Sequence, residues 1–114
     1  MAVAMFVHFP GLSSQRYDQL MARLDLDVSP AAGAILHVAA EVEDGVNVVD
    51  LWQTKEAAHA FVEQRLQPAL AELGIRADVH IEVSQLRNVF APDLDTIGRI
   101  GAVSIPARAG GAPL

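Results

Sequence analysis

The order in which hydrophobic periods change along the chain constrains its fold more than any other feature. Residues Ala2 to Phe9 are apolar, with β-branched and aromatic side chains, and stop at Pro10-Gly11, which reads as a strand ended by turn residues. Tyr17, Leu20, Met21 and Leu24 then recur at i, i+3, i+4 and i+7, one stripe of a helix that Ser13 or Ser14 can cap. After a loop containing Pro30 and Gly33, two strand-like runs, Ala34 to Glu43 and Val46 to Trp52, flank Asp44-Gly45. That dipeptide suits a two-residue type I′ turn, whose central residues need positive φ. Thr54 can cap a second helix with Ala58, Phe61, Val62, Leu66, Ala69, Leu70 and Leu73 on its buried side. Pro68 should kink or split that helix, and Gly74 should close it. Val79 to Leu86 is the last strand. The order β-α-β-β-α-β predicts a ferredoxin-like α+β domain with a four-stranded antiparallel sheet over residues 1–90. Residues 91–114, rich in Gly, Ala and Pro, read as a C-terminal tail.

Composition removes several classes of function. The 114 residues suffice for one domain with a real core. There is no cysteine, which excludes disulfides, thiolate metal sites and cysteine nucleophiles, and which fits a reducing cytoplasm. With 52% hydrophobic and 19% charged residues the chain as a whole is not disordered. The net charge of −6, without a Lys/Arg cluster, argues against nucleic acid. The apolar N-terminal run is too short to span a bilayer and lacks the marks of a signal peptide, so no membrane partner is expected.

Alternation of side chains divides the sheet into two faces. Val3, Met5 and Val7, Leu36, Val38 and Ala40, Val49 and Leu51, and Val79, Ile81 and Val83 are predicted to carry the helices. The other face would then hold Phe6 and His8, Ile35 and His37, Val48, Asp50 and Trp52, and His80 and Glu82. Such a mixed face is too apolar to stay wet and too polar for a dry core, which suggests a second subunit closing over a cavity. The second and fourth strands are the expected outer strands. With the first and third strands running one way and the second and fourth the other, His8, His37, His80 and Trp52 would share one end of the sheet. A turn at Asp44-Gly45 would set His37 opposite Trp52 and diagonal to Asp50.

The segments Val7-His8-Phe9-Pro10-Gly11 and Val48 to Ala57, the helix Phe61 to Leu73 and the strand running to Asn88-Val89-Phe90 resemble the dimeric α+β barrel superfamily, in particular its small antibiotic-biosynthesis-monooxygenase-like proteins. The resemblance covers residues 1–90 and implies a homodimer whose sheets face each other. Members include cofactor-independent oxygenases of polyketide quinones, polyketide cyclases, haem-degrading enzymes and proteins without known activity. Trp52 and His59 echo the haem-degrading members, but His8 stands where those carry an asparagine and the spacing differs.

The function expected is therefore a small-molecule-binding homodimer of secondary metabolism, an oxygenase or a cyclase/isomerase acting on an aromatic or polyketide-like molecule. His37 is the candidate base, since a histidine's ordinary pKa of ~6.5 suits proton transfer at neutral pH. Asp50 would orient it, and His8 or His80 would bond a developing oxyanion. Phe6, Ile35, Val48, Trp52 and Glu82 would line the substrate space. No organic-cofactor motif is present, so none is expected; His37 and His80, on outer strands roughly 14 Å apart, are too distant to share a metal ion. The rival readings are a non-catalytic ligand-binding dimer and a purely structural dimer with no pocket.

Overall fold

The computed structural model describes residues 1–100. It comprises β1 (Val3–Pro10), α1 (Ser14–Leu24), β2 (Ala34–Val42), β3 (Gly45–Trp52), α2 (Lys55–Phe61), a π-helical turn (Val62–Leu66), α3 (Gln67–Glu72), β4 (His80–Gln85) and α4 (Leu94–Ile97). The four strands form one antiparallel sheet in the order β2-β3-β1-β4. This is the ferredoxin-like α+β arrangement expected from the order of periods, with β2 and β4 on the outside.

Local chemistry explains the element ends. The Ser13 side chain accepts from the Arg16 backbone N–H and starts α1; Thr54 does the same for α2 through Ala57 N–H. Pro68 has no N–H to give to the carbonyl one turn back. The helix answers with a π turn in which Gln67 N–H bonds to Val62 O, so the expected split takes this form. Gly74 follows α3 with φ 68°. Within the C-terminal segment, Asp93 caps the single turn of α4 by accepting from Thr96 N–H; residues 101–114 of the expected tail lie outside the described residues.

The core lies between the helices and one face of the sheet. Met5 and Leu20 are fully buried, among Val7, Phe9, Val46, Val48, Trp52 and the helical residues Ala58, Phe61, Val62 and Leu66. Each such large side chain contributes on the order of 1.5–3 kcal/mol of burial.

Three expectations about the sheet need correction. First, the β2–β3 loop is Glu43-Asp44, since Val42 already pairs with Gly45; this slides the register so that His37 lies opposite Asp50, not Trp52. The glycine serves a different purpose from the one expected. At φ 149° it packs against the end of β1, where a Cβ would collide with the Phe9 carbonyl oxygen.

Second, β1 and β2 run in one direction and β3 and β4 in the other. Each helical crossover returns the chain parallel to the strand it left, and only the central hairpin reverses it. His8 and His80 therefore sit together near the β2–β3 loop, whereas Trp52 pairs with Val3 and Ala34 at the far end.

Third, the hairpin joins β1 in the opposite phase. Met5 pairs with Asp50, Val7 with Val48 and Phe9 with Val46, so His37, Val48, Asp50 and Trp52 are on the helix side. Leu36, Val38, Val49 and Leu51 share the open face with Phe6, His8, His80 and Glu82. Both faces of β3 carry apolar residues, and the buried carboxylate of Asp50 weighed against the correct phase.

Candidate functional site

β3 delivers Asp50 to the helix side of the sheet, and β2 delivers His37 directly across from it. Asp50 is the one buried charged residue among the described residues, 6% exposed. Its Oδ1 lies 2.5 Å from Nδ1 of His37. A carboxylate can only accept here, so Nδ1 carries the proton and, in the neutral imidazole, Nε2 presents a lone pair. That lone pair meets the hydroxyl of Tyr17, which donates to it across 2.7 Å. The phenol and imidazole rings are 5° from parallel with centroids 6.2 Å apart. Burial, then the negative charges of Asp50 and Asp18, push the Tyr17 phenol up to about 12. It keeps its proton at neutral pH, as the donor role requires.

The Tyr17–His37–Asp50 line runs from α1 to the central strands and opens at the β2 edge. The His37 side chain is 35% exposed while that of Asp50 is 8% exposed. A buried carboxylate, an imidazole of fixed tautomer and a phenol in hydrogen-bond contact form an acid–base chain.

Trp52 lies two residues from Asp50 on the same face. Its indole packs against Phe61 at 5.1 Å between centroids. Its Nε1–H is the one buried side-chain polar atom without a hydrogen-bond partner among the described residues. A buried N–H left unpaired costs free energy and is satisfied when an acceptor arrives. Val48, on the other side of Asp50 along β3, is core.

The remaining sequence-predicted site residues are elsewhere. His8 and His80 stack on the open face with centroids 6.4 Å apart. His8 bonds Asn47 through Nδ1 and lies 3.3 Å from Asp44 through Nε2; His80 is 3.9 Å from Asp78. Phe6 pairs with Glu82 on that face. Ile35 occupies the bulge between Ala34 and Leu36 and is 53% exposed. The sheet thus stands between His37 and the two other histidines, and one small molecule cannot touch all three. This corrects the expectation of a single cavity lined by His8, His37, His80 and Phe6.

Tyr17 was missed as a functional residue because its place in the apolar stripe of α1 accounts for it as packing. The available signal was a phenol in a helical stripe that must cross a strand carrying a histidine and a carboxylate.

No protein-family model matches the sequence, and no curated protein matches it. Among solved structures, SnoaB, a cofactor-independent oxygenase from Streptomyces nogalater, is similar with TM-score 0.60 at 13% identity, covering 77% of this chain and 95% of that one. A protein of unknown function from Nitrosomonas europaea is similar with TM-score 0.63 at 19% identity, over 80% of this chain and 94% of that one. A protein of Chloroflexus aurantiacus provisionally named an antibiotic biosynthesis monooxygenase is similar with TM-score 0.57 at 18% identity, over 80% and 98%. With its βαββαβ order and four-stranded antiparallel sheet, the chain shares the ferredoxin-like α+β fold of these three structures.

Proposed function

We propose that the protein is a homodimer that binds an aromatic or polyketide-like small molecule and removes a proton from it without an organic cofactor, as an oxygenase or a cyclase/isomerase would. The observation that carries this reading is the Asp50–His37–Tyr17 line, with contacts of 2.5 and 2.7 Å. A substrate phenol or activated C–H reaching Tyr17 Oη gives its proton to the phenol oxygen. Tyr17 passes its own proton to His37 Nε2, and Asp50 stabilises the resulting imidazolium. Similarity of fold to SnoaB agrees with this chemistry without assigning it.

The dimer is supported by the open face. Phe6, Leu36 and Val38 are 46%, 37% and 50% exposed and adjoin Val49 and Leu51 there. A contiguous apolar patch on a sheet is the kind of surface that a second subunit covers. The second subunit then supports the sheet from behind, and the reacting molecule lies on the helix side.

The test is turnover of a panel of hydroquinones and polyketide-like phenols in air, followed by product mass and oxygen consumption. Wild-type turnover that falls at least about 100-fold in H37A and Y17F is the expected result. Saturable binding of such molecules with no turnover by wild type would replace the catalytic reading with that of a binding protein.

A further inference from the structure

The loop between β1 and α1 divides two grooves of opposite charge. On one side Pro10–Leu12 face Glu41, Glu43 and Asp44 of the β2–β3 hairpin. On the other, the same three residues face Arg16, Gly74, Ile75 and Arg76 across a groove of about 340 Å³. Among the described residues, no acidic side chain lines this second groove. In a chain of net charge −6 with eight Lys and Arg residues in total, two arginines lining one groove without a carboxylate is an uncompensated arrangement.

The two arginines are prepared differently. Arg16 is half-buried and anchored: one Nη donates to the Leu73 carbonyl that ends α3, the other to Gln19 Oε1. Two anchored nitrogens fix the guanidinium plane, and three of its five N–H bonds are left to give. Arg76 is exposed on the loop leading to β4, at the opposite rim. An anchored guanidinium and a free one lining the same groove are suited to planar or tetrahedral oxyanions, which arginine binds through paired N–H donors.

We infer that the groove between the β1–α1 loop and the α3–β4 loop binds an anionic group, a phosphate or carboxylate of a small molecule, between Arg16 and Arg76. The site is separate from the Tyr17–His37–Asp50 line. Arg16 and Tyr17 are consecutive on α1, but Arg16 reaches the end of α3 and Tyr17 reaches β2. The inference therefore stands or falls independently of the proposed reaction.

The test is titration of the full-length protein with inorganic phosphate, and separately with malonate, at ionic strength held constant with chloride, followed by backbone amide shifts. The expected result is saturable shifts confined to Gly11, Leu12 and Gly74 to Ala77, with affinity weakened about tenfold in R76Q, the loss of one charge-assisted contact. Arg76 is exposed, so R76Q retains the fold. R16K, which keeps the charge and loses the fork, weakens binding as well. Saturation by phosphate alone or by malonate alone identifies which oxyanion the groove accepts. Shifts that are linear in concentration, spread over the surface, or unchanged in R76Q overturn the inference.

Discussion

His37 and Asp50 face each other directly across the β2–β3 pair, and the short bond between them lets a carboxylate sit in the core at 6% exposure. A buried charge is tolerated only when paired, so removing the imidazole strands the carboxylate. H37A should destabilise the protein by about 3 kcal/mol, more than a half-exposed side chain would cost through packing alone. D50A should cost about 2 kcal/mol, and the double variant less than the two together, with an interaction energy of about 1–3 kcal/mol. Urea unfolding of the four proteins closes the cycle. Additive losses would mean that the two residues are not coupled.

Tyr17 can be followed by itself, because it is the chain's one tyrosine. The rise of tyrosinate absorbance should have its midpoint near about 12 in the folded protein, against 10.0 for the free phenol. The sign of the linkage follows. Between those two values the native state holds a proton that the unfolded state has lost, so stability is fully present below about pH 10 and declines as pH rises toward 12. Y17F should remove that part of the alkaline decline. A native midpoint at the ordinary phenol value would contradict the contact with the His37–Asp50 pair.

Gly45 and Gly11 both have positive φ but differ in their surroundings. A Cβ on Gly45 meets the Phe9 carbonyl, which cannot move without breaking the β1–β3 pairing, whereas a Cβ on Gly11 meets nothing within 4 Å. G11A should therefore cost only the conformational term of about 1 kcal/mol, and G45A at least about 2 kcal/mol more. Thermal unfolding of the two variants measures the difference. Equal losses would place the constraint on Gly45 in its dihedral angles alone.

Much of the architecture could be read from the chain because each of its signals is local. Ser13 and Thr54 mark helix starts, Pro68 marks the irregular turn, and the change from a period of 2 to one of 3.6 orders the elements. The two sides of β2 and β3 were also kept together correctly, since His37 and Asp50 do share a face. The phase between that hairpin and β1 could not be read this way. It is a long-range choice, and β3 offers Val46, Val48 and Trp52 on one side and Val49 and Leu51 on the other. The contact between His37 and Asp50 lowers the cost of burying a charge on the helix side and does not register in hydrophobic alternation. The site inherits this property. His37 and Asp50 are legible as a pair, whereas their partner Tyr17 is reached through packing of α1 on the sheet edge, which periodicity describes only as a stripe.

The reversed phase also makes a dimer prediction sharper than the sequence alone allowed. The surface available to a second copy is now Phe6, Leu36, Val38 and Val49, with His8, His80 and Glu82 toward one side. Phe6 is central, on a strand flanked by β3 and β4, and 46% exposed. A glutamate there would have to be desolvated on pairing, at a cost of several kcal/mol per subunit when no cation meets it. F6E should convert the dimer to monomer at micromolar concentration, a loss of about 1,000-fold or more in association. The fold should survive, because the Phe6 side chain points away from the core between sheet and helices. Light scattering with size separation, alongside circular dichroism, reads both quantities. A dimer that survives F6E would mean that the subunits pair through another surface, and the apolar residues of this face would then need a different cover.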